Sequence, residues 1–168
     1  AIVHNRTIVK TLPLVELGAK VAASPAEAIT EADASIVLVL DGAGLKNLLL
    51  NDETKAALAG KKIMNASTTN LADILETAEV VAKFGGSLAE MTINADNNML
   101  RDAQGQFAIG CNAEEEKFWT ELLLSIGTGA ERIGKVGDAT KAESTTLVAS
   151  MFHLVTLAYA TAIAQKLD

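Results

Sequence analysis

The chain has 168 residues, enough for one domain with a sizeable core. Hydrophobic residues make up 49% but aromatics only 4%, so that core is built from Ala, Val, Ile and Leu, a composition suited to buried parallel strands flanked by Ala-rich helices. A formal net charge of -7 excludes the basic surface that non-specific nucleic-acid binding needs, yet a local positive pocket can still take a small anion.

Short β-like runs alternate with helical runs, the pattern of a parallel α/β sheet. Residues 2–4 read as a strand that stops at Asn5-Arg6-Thr7. A helix is predicted from there to about Leu17, with Gly18 as its C-terminal stop. Residues 19–22 read as a short strand, and Ser24-Pro25-Ala26-Glu27 has the form of a capping box with proline at the first helical position. Residues 35–40 (SIVLVL) are the clearest central strand, continuously apolar and rich in β-branched side chains. Helical runs at 44–50 and 53–58 lead to a strand at 62–65. Asn70 then caps a helix to about Lys83, closed by Gly85-Gly86.

Beyond that helix the pattern changes. Residues 87–91 and 106–110 read as strands separated by a polar loop, 92–105, that carries Asn94, Asp96, Asn97, Asn98, Arg101 and Asp102. Residues 113–125 form an amphipathic helix with Glu114, Glu115 and Glu116 in its N-terminal turn and Phe118, Trp119 and Leu122 on its buried face. A last strand at 130–133 precedes one long helix from about Asp138, which divides the chain into a domain over 1–137 and a helical element over 138–168. The apolar run 147–164 falls short of an ordinary membrane span. With His153 and several Ser and Thr residues inside it, a buried interface helix is the expectation. Cys111 has no partner for an intrachain disulfide and no neighbouring His or Lys to activate it, which fits a reducing compartment, the cytoplasm. Two histidines, His4 and His153, and this one cysteine are too scattered to predict a metal site.

The segments HNRTIVK at 4–10, SPAEAI at 24–29, SIVLVLDGAGLKNLL at 35–49, LAGKKIMNAST at 58–68 and GKVGDATKAE at 134–143 occur in an order and spacing that resemble the β-hydroxyacid dehydrogenase and imine reductase superfamily. That superfamily includes 3-hydroxyisobutyrate dehydrogenases, glyoxylate reductases and domains of the 6-phosphogluconate dehydrogenase type. The VLD and MNAST wording is closer to the imine reductases. The resemblance implies a Rossmann-like, doubly wound, mostly parallel sheet, NADP(H) as cofactor, a small-molecule substrate and no nucleic acid or membrane as partner. It further implies a homodimer formed through the C-terminal helical region. Relatives begin with a strand and a G-x-G-x-x-G turn, a unit of roughly 20–30 residues, whereas this sequence opens on the second strand. The structure is therefore expected to show either a vacant strand position in the sheet or that position filled from elsewhere. Without the turn, the isolated chain is expected to bind NADPH weakly and to self-associate.

The same resemblance assigns roles to residues. Asn5-Arg6-Thr7 falls where such a fold meets the adenosine ribose. A carboxylate there would repel a 2′-phosphate, whereas the Arg6 guanidinium can fork onto it, with Thr7 as hydroxyl donor and Lys10 as a second cation. The alternative is a solvated turn with ordinary surface cations. Leu40 and Asp41 lie where the family packs against the cofactor, although Asp41 serves equally well as a helix cap. Asn65, Ser67 and Thr68 fall beside the nicotinamide ribose and the reacting carbon, with capping of the next helix as the alternative. Glu143 stands where the hydroxyacid enzymes carry their acid–base lysine, and Thr146 where they carry an asparagine. A carboxylate at that position suits an iminium substrate, because it attracts the cation and in its protonated form can donate. Otherwise Glu143 is a surface carboxylate. The Ser-Gly-Gly substrate grip of the hydroxyacid enzymes is replaced by residues 90–96, EMTINAD, with neither glycine.

Overall fold

In a computed structural model that describes residues 1–167, the chain opens with β1 (Ile2–Val3), a 3-10 turn (Ile8–Thr11), α1 (Leu12–Glu16) and β2 (Lys20–Val21). It continues through α2 (Pro25–Glu31), β3 (Ala34–Val37), α3 (Gly42–Leu49), α4 (Asp52–Ala56), β4 (Lys62–Asn65), α5 (Leu71–Lys83) and β5 (Ser87–Asn94). The remaining elements are α6 (Asn97–Arg101), β6 (Gly105–Gly110), a 3-10 turn (Ala113–Glu115), α7 (Glu116–Leu124), β7 (Gly127–Gly134) and α8 (Asp138–Leu167). The mixed α/β class and mostly parallel sheet agree with the sequence reading.

Strands β3 to β7 form one sheet in sequence order, parallel except for the antiparallel pair β5–β6. Alternation along the strands sends side chains to two cores. Ile63 of β4 and Leu88 of β5 meet Leu45, Leu49, Ile74 and Val81 on one face. Met64 and Ala89, one residue on, meet Phe107, Ile109 and Trp119 on the other. Strands β1 and β2 pair with each other in parallel as a separate two-stranded sheet. Among the described residues no strand lies between β1 and β3. A cleft of about 500 Å³ occupies that place, lined by Ile2, Val3 and His4 on one side and Ile36, Val37 and Leu38 on the other. This is the vacant strand position that the resemblance implied.

Local chemistry explains most boundaries. Ser24 Oγ accepts the Glu27 N–H at 3.1 Å and Glu27 Oε2 accepts the Ala23 N–H at 2.6 Å, so the predicted capping signature starts α2. Asn70 Oδ1 accepts the Asp73 N–H at 2.8 Å and starts α5. Gly85, at a φ of +79°, ends that helix with a backbone turn that favours glycine.

Several expectations are corrected. The run after Thr7 is a 3-10 turn followed by a five-residue helix, because Pro13, at the start of α1, has no N–H to donate to the preceding turn. The central strand ends at Val37 rather than Leu40, since the Val39 N–H leaves the ladder and donates to Ser67 Oγ at 2.8 Å. Residues 92–105 are not a loop: β5 runs to Asn94, and Asp96 Oδ1 caps α6 by accepting the Asn98 and Met99 N–H groups. On α7 Trp119 and Leu123 are buried, while Phe118 and Leu122 are partly exposed.

The long helix finds little cover among the described residues of the chain. Only Ala139 and Thr140 of α8 are buried, and its most apolar 18-residue window, of mean hydropathy 1.7, is wholly uncovered. By length and composition alone α8 qualifies as a membrane-spanning helix. Its apolar residues run around the whole helix rather than along one stripe.

Candidate functional site

The C-terminal ends of β1, β3 and β4 carry three adjoining loops, and in an open α/β sheet the crevice outside those ends is where ligands bind. The loop after β1 is shaped by Asn5, whose Oδ1 accepts the Thr7 N–H at 2.8 Å in a tight turn. Arg6, Thr7 and Lys10 project from it into solvent. Among the described residues neither Arg6 nor Lys10 forms an ion pair, so two cations stand free at one strand end of an acidic chain.

The loop after β3 presents two large apolar side chains to water, Leu38 at 72% and Leu40 at 91% exposure. Asp41 next to them is occupied: its Oδ1 accepts the Gly44 N–H at 2.8 Å and caps α3. On the following turn Lys46 pairs with Asp73 of α5 at 2.6 Å and with Glu76 at 3.1 Å. The Lys46 ammonium holds the Asp73 carboxyl below the usual carboxylate range, and Asp73 in turn raises the lysine. This pair ties α3 to α5 beneath the loops, and Gly42 lies so close to the Asp73 side chain that any Cβ would collide with it.

The loop after β4 makes the most hydrogen bonds of the three. Asn65 is buried, donates through Nδ2 to the Ser67 carbonyl at 2.9 Å and accepts the Ser67 N–H at 3.1 Å. Ser67 is buried and, through the bond to Val39, clamps this loop to the one after β3. Neither residue caps α5; Asn70 does that. Thr68, between them and the helix, is exposed and donates through Oγ1 to Glu143 Oε1 at 3.2 Å. Residues 75 positions apart are thereby joined, one from the loop after β4 and one from the first turns of α8.

The structure thus brings Thr68 and Glu143 together and keeps Asn65 and Ser67 beneath them as supports. Arg6, Thr7 and Lys10 share the same sheet edge but lie across the vacant strand position. His4 is set back, with Nδ1 3.2 Å from the Ala22 carbonyl oxygen. Burial raises the Cys111 thiol, and no group of three or more potential metal ligands occurs among the described residues. One residue escaped the sequence reading. Glu90 of β5 is 2% exposed and lies under the start of α8. Its only signal in the sequence is a lone charge inside the apolar run SLAEM.

The family profile described as the NAD binding domain of 6-phosphogluconate dehydrogenase matches residues 1–146. The chain belongs to this family. The imine reductase of Myxococcus stipitatus, solved in complex with NADP+, shares 27% identity with this NAD-binding domain at a TM-score of 0.83, with 93% of this chain and 54% of that one covered. A 3-hydroxyisobutyrate dehydrogenase of Mycobacterium tuberculosis, at 18% identity and a TM-score of 0.90, shares the fold over 98% of this chain and 56% of its own. The cytokine-like nuclear factor N-PAC of Drosophila pseudoobscura pseudoobscura is 27% identical over 169 residues, which is 98% of this chain and 28% of that protein. The chain therefore spans about half the length of its structural neighbours and about a quarter of its curated relatives.

The residues present fit part of an NAD(P) site. Arg6 and Lys10 are two unpaired cations at the end of β1, and Leu38 and Leu40 leave bare apolar surface at the end of β3. The Asn65–Thr68 loop supplies short polar groups at the end of β4.

Proposed function

We propose that this NAD-binding domain serves an NADP(H)-dependent reductase of the imine reductase type, acting on a carbon–nitrogen double bond in a small molecule. The observation that carries the reading is the hydrogen bond between Thr68 and Glu143, which holds a carboxyl group at the C-terminal edge of β4. NADP(H), when bound, supplies the hydride to carbon. Glu143, in its protonated form, gives its proton to the imine nitrogen, pairs as a carboxylate with the iminium so formed until hydride reaches carbon, and is reprotonated from solvent. Thr68 fixes which oxygen of Glu143 faces the substrate, and its hydroxyl follows the change of charge without moving. Arg6 forks onto the 2′-phosphate, with Lys10 beside it, which favours NADPH over NADH. Asn65, Ser67, Leu40 and Asp41 act as the wall and its supports.

The uncovered apolar surface of α8, including Met151, Phe152, Val155 and Tyr159, supports assembly as a homodimer in which the helix is enclosed by partner helices. The Ser and Thr residues along the helix and His153 favour that enclosure over a bilayer, and a cytoplasmic setting fits the unpaired Cys111.

A second reading has its own support. The relative described as a cytokine-like nuclear factor, together with the absence of a lysine at 143, favours a cofactor-binding module that performs no hydride transfer. A β-hydroxyacid substrate is the third possibility. One experiment separates them: the full-length protein is given NADPH with a cyclic imine, NADP+ with a 3-hydroxyacid, and NADPH alone in a binding titration. Imine turnover that falls at least tenfold in Glu143→Gln, with NADPH affinity unchanged, is the expected result, since a positioned general acid contributes roughly a hundredfold or more. Turnover of the hydroxyacid alone, or binding without turnover, rejects the imine reading.

A further inference from the structure

We infer that Glu90 is a positioning residue that sets the placement of Glu143 by anchoring the first turn of α8 from the centre of the sheet; the inference rests on the proposed role of Glu143. The carboxylate of Glu90 is buried in β5 and spends both oxygens on one helix start. Oε1 accepts the N–H groups of Gly137 at 2.6 Å, Ala139 at 3.0 Å and Thr140 at 3.3 Å. Oε2 accepts the Thr140 hydroxyl at 2.5 Å. Helix starts are ordinarily capped by the residue that precedes them. Here the acceptor comes from a strand 47 to 50 residues earlier in the chain.

The surroundings are built for this arrangement. Gly137, at a φ of +98°, turns its N–H toward the carboxylate. Gly110, the register partner of Glu90 on β6, leaves the space that the carboxylate fills: a Cβ there would lie 2.7 Å from Oε1. Beyond Thr140 no described residue of α8 is buried, so a helix about 45 Å long is fixed to the sheet through this turn. Glu143 follows Thr140 by three positions, on the same helix face. Anything that loosens the turn therefore moves Glu143 first.

The other half of the argument lies one strand away. Glu90 is in register with Asn65 of β4. Asn65 holds the loop that carries Thr68, and Glu90 holds the helix that carries Glu143. Two adjacent positions in the middle of the sheet thus support the two ends of the Thr68–Glu143 contact.

The test uses the full-length protein with Glu90→Gln, which keeps size and one acceptor oxygen but removes the charge, and with Thr140→Val, which removes only the hydroxyl donor. Placement is read without activity, from the rate at which the pair Thr68→Cys and Glu143→Cys forms a disulfide under mild oxidation. Glu90→Gln should slow that rate and Thr140→Val should slow it less, while amide exchange in β4 stays unchanged. In turnover, Glu90→Gln should cost about ten- to a hundredfold at unchanged NADPH affinity, the size of loss that a misplacement of about 1 Å causes. That loss should disappear in the Glu143→Gln background, because Glu90 acts only through Glu143. An unchanged disulfide rate in both variants, or an equal loss of turnover with and without Glu143, overturns the inference. If no substrate turns over but the disulfide rates shift as stated, the anchor stands and the proposed reaction is what has failed. If Glu90→Gln does not fold, Thr140→Val alone decides through the disulfide rate.

Discussion

Strands β1 and β2 are two residues long and each has one strand neighbour, whereas β5 and β7 are eight residues long in a five-stranded sheet with a core on either face. Up to Ala22 only Thr11 and Ala22 are buried, and Ile8, Val9 and Leu17 lie open to water. The two halves of the candidate site are divided between these regions. The cations proposed for a 2′-phosphate stand on the thin β1–β2 unit, and the Thr68–Glu143 pair stands on the β3–β7 body, braced by Ser67, Asn65 and Glu90. The proposed cofactor choice and the proposed proton transfer therefore rest on foundations of unequal strength.

The comparison is tested most severely in the cores. Trp119 and Leu49 are fully buried in the body, while Val3 is only half-buried at the edge of the cleft. Trp119→Ala should cost about 3–5 kcal/mol, the range for emptying a large core site. Val3→Ala should cost less than about 1 kcal/mol in the isolated chain, and more once the cleft is filled. Urea unfolding of the three proteins measures this, and equal losses would mean that the N-terminal unit is as firmly packed as the body.

Arg6→Ala sharpens the comparison at the level of binding. Loss of a charge-assisted fork should weaken NADPH by about 1.5–3 kcal/mol while NADH changes little. Stability should stay unchanged, since Arg6 is exposed and unpaired. Parallel titrations of both cofactors decide it, and equal weakening would return Arg6 to a solvated turn.

Ser67→Ala probes the brace between the loops after β3 and β4. The Val39 N–H loses its acceptor, and leaving such a group unpaired costs about 1 kcal/mol or somewhat more. Amide exchange at residues 38–41 should quicken without a matching change in β1. Unchanged exchange there would show that the two loops are held independently.

How much of this was legible in the sequence depended on range. The start of α5 was readable because Asn70 and Asp73 lie one turn apart, and its end because Gly85 can take a positive φ. The end of β3 was not, because Val39 is apolar and β-branched like its neighbours and leaves the ladder only for a hydroxyl 28 residues away. The capping role of Asp41 was open from the spacing, and the bond to Gly44 shows that its carboxylate is occupied there. The approach of Thr68 to Glu143 depends on how α8 leaves β7, which no periodicity encodes. Glu90 carried the faintest signal. A charge inside an apolar strand tells that something polar lies opposite, and only the fold shows that it is the start of a helix.

The smallest effect concerns pH, and it separates the two regions again. Four carboxyls on the body are held below their ordinary values by lysines: Asp52 by Lys55, Asp73 by Lys46, Glu79 by Lys83 and Asp138 by Lys141. Each therefore binds its proton more readily in the unfolded chain than in the folded one. Stability from these pairs is fully present above the ordinary values, 3.8 for the aspartates and 4.5 for the glutamate, and is lost as the pH falls through the lower folded values. Asp138 matters most for the site, because Oδ2 also accepts the Lys135 N–H at 3.0 Å at the turn that Glu90 anchors. Its pairing with Lys141 is partly exposed, so salt at about 1 M should erase much of the effect. Asp138→Asn should lower the unfolding temperature slightly at about pH 7 and hardly at all once the pH has fallen below the lowered folded value, where the native carboxyl has taken up its proton. A loss of the same size at both pH values would mean that charge plays no part in holding the start of α8.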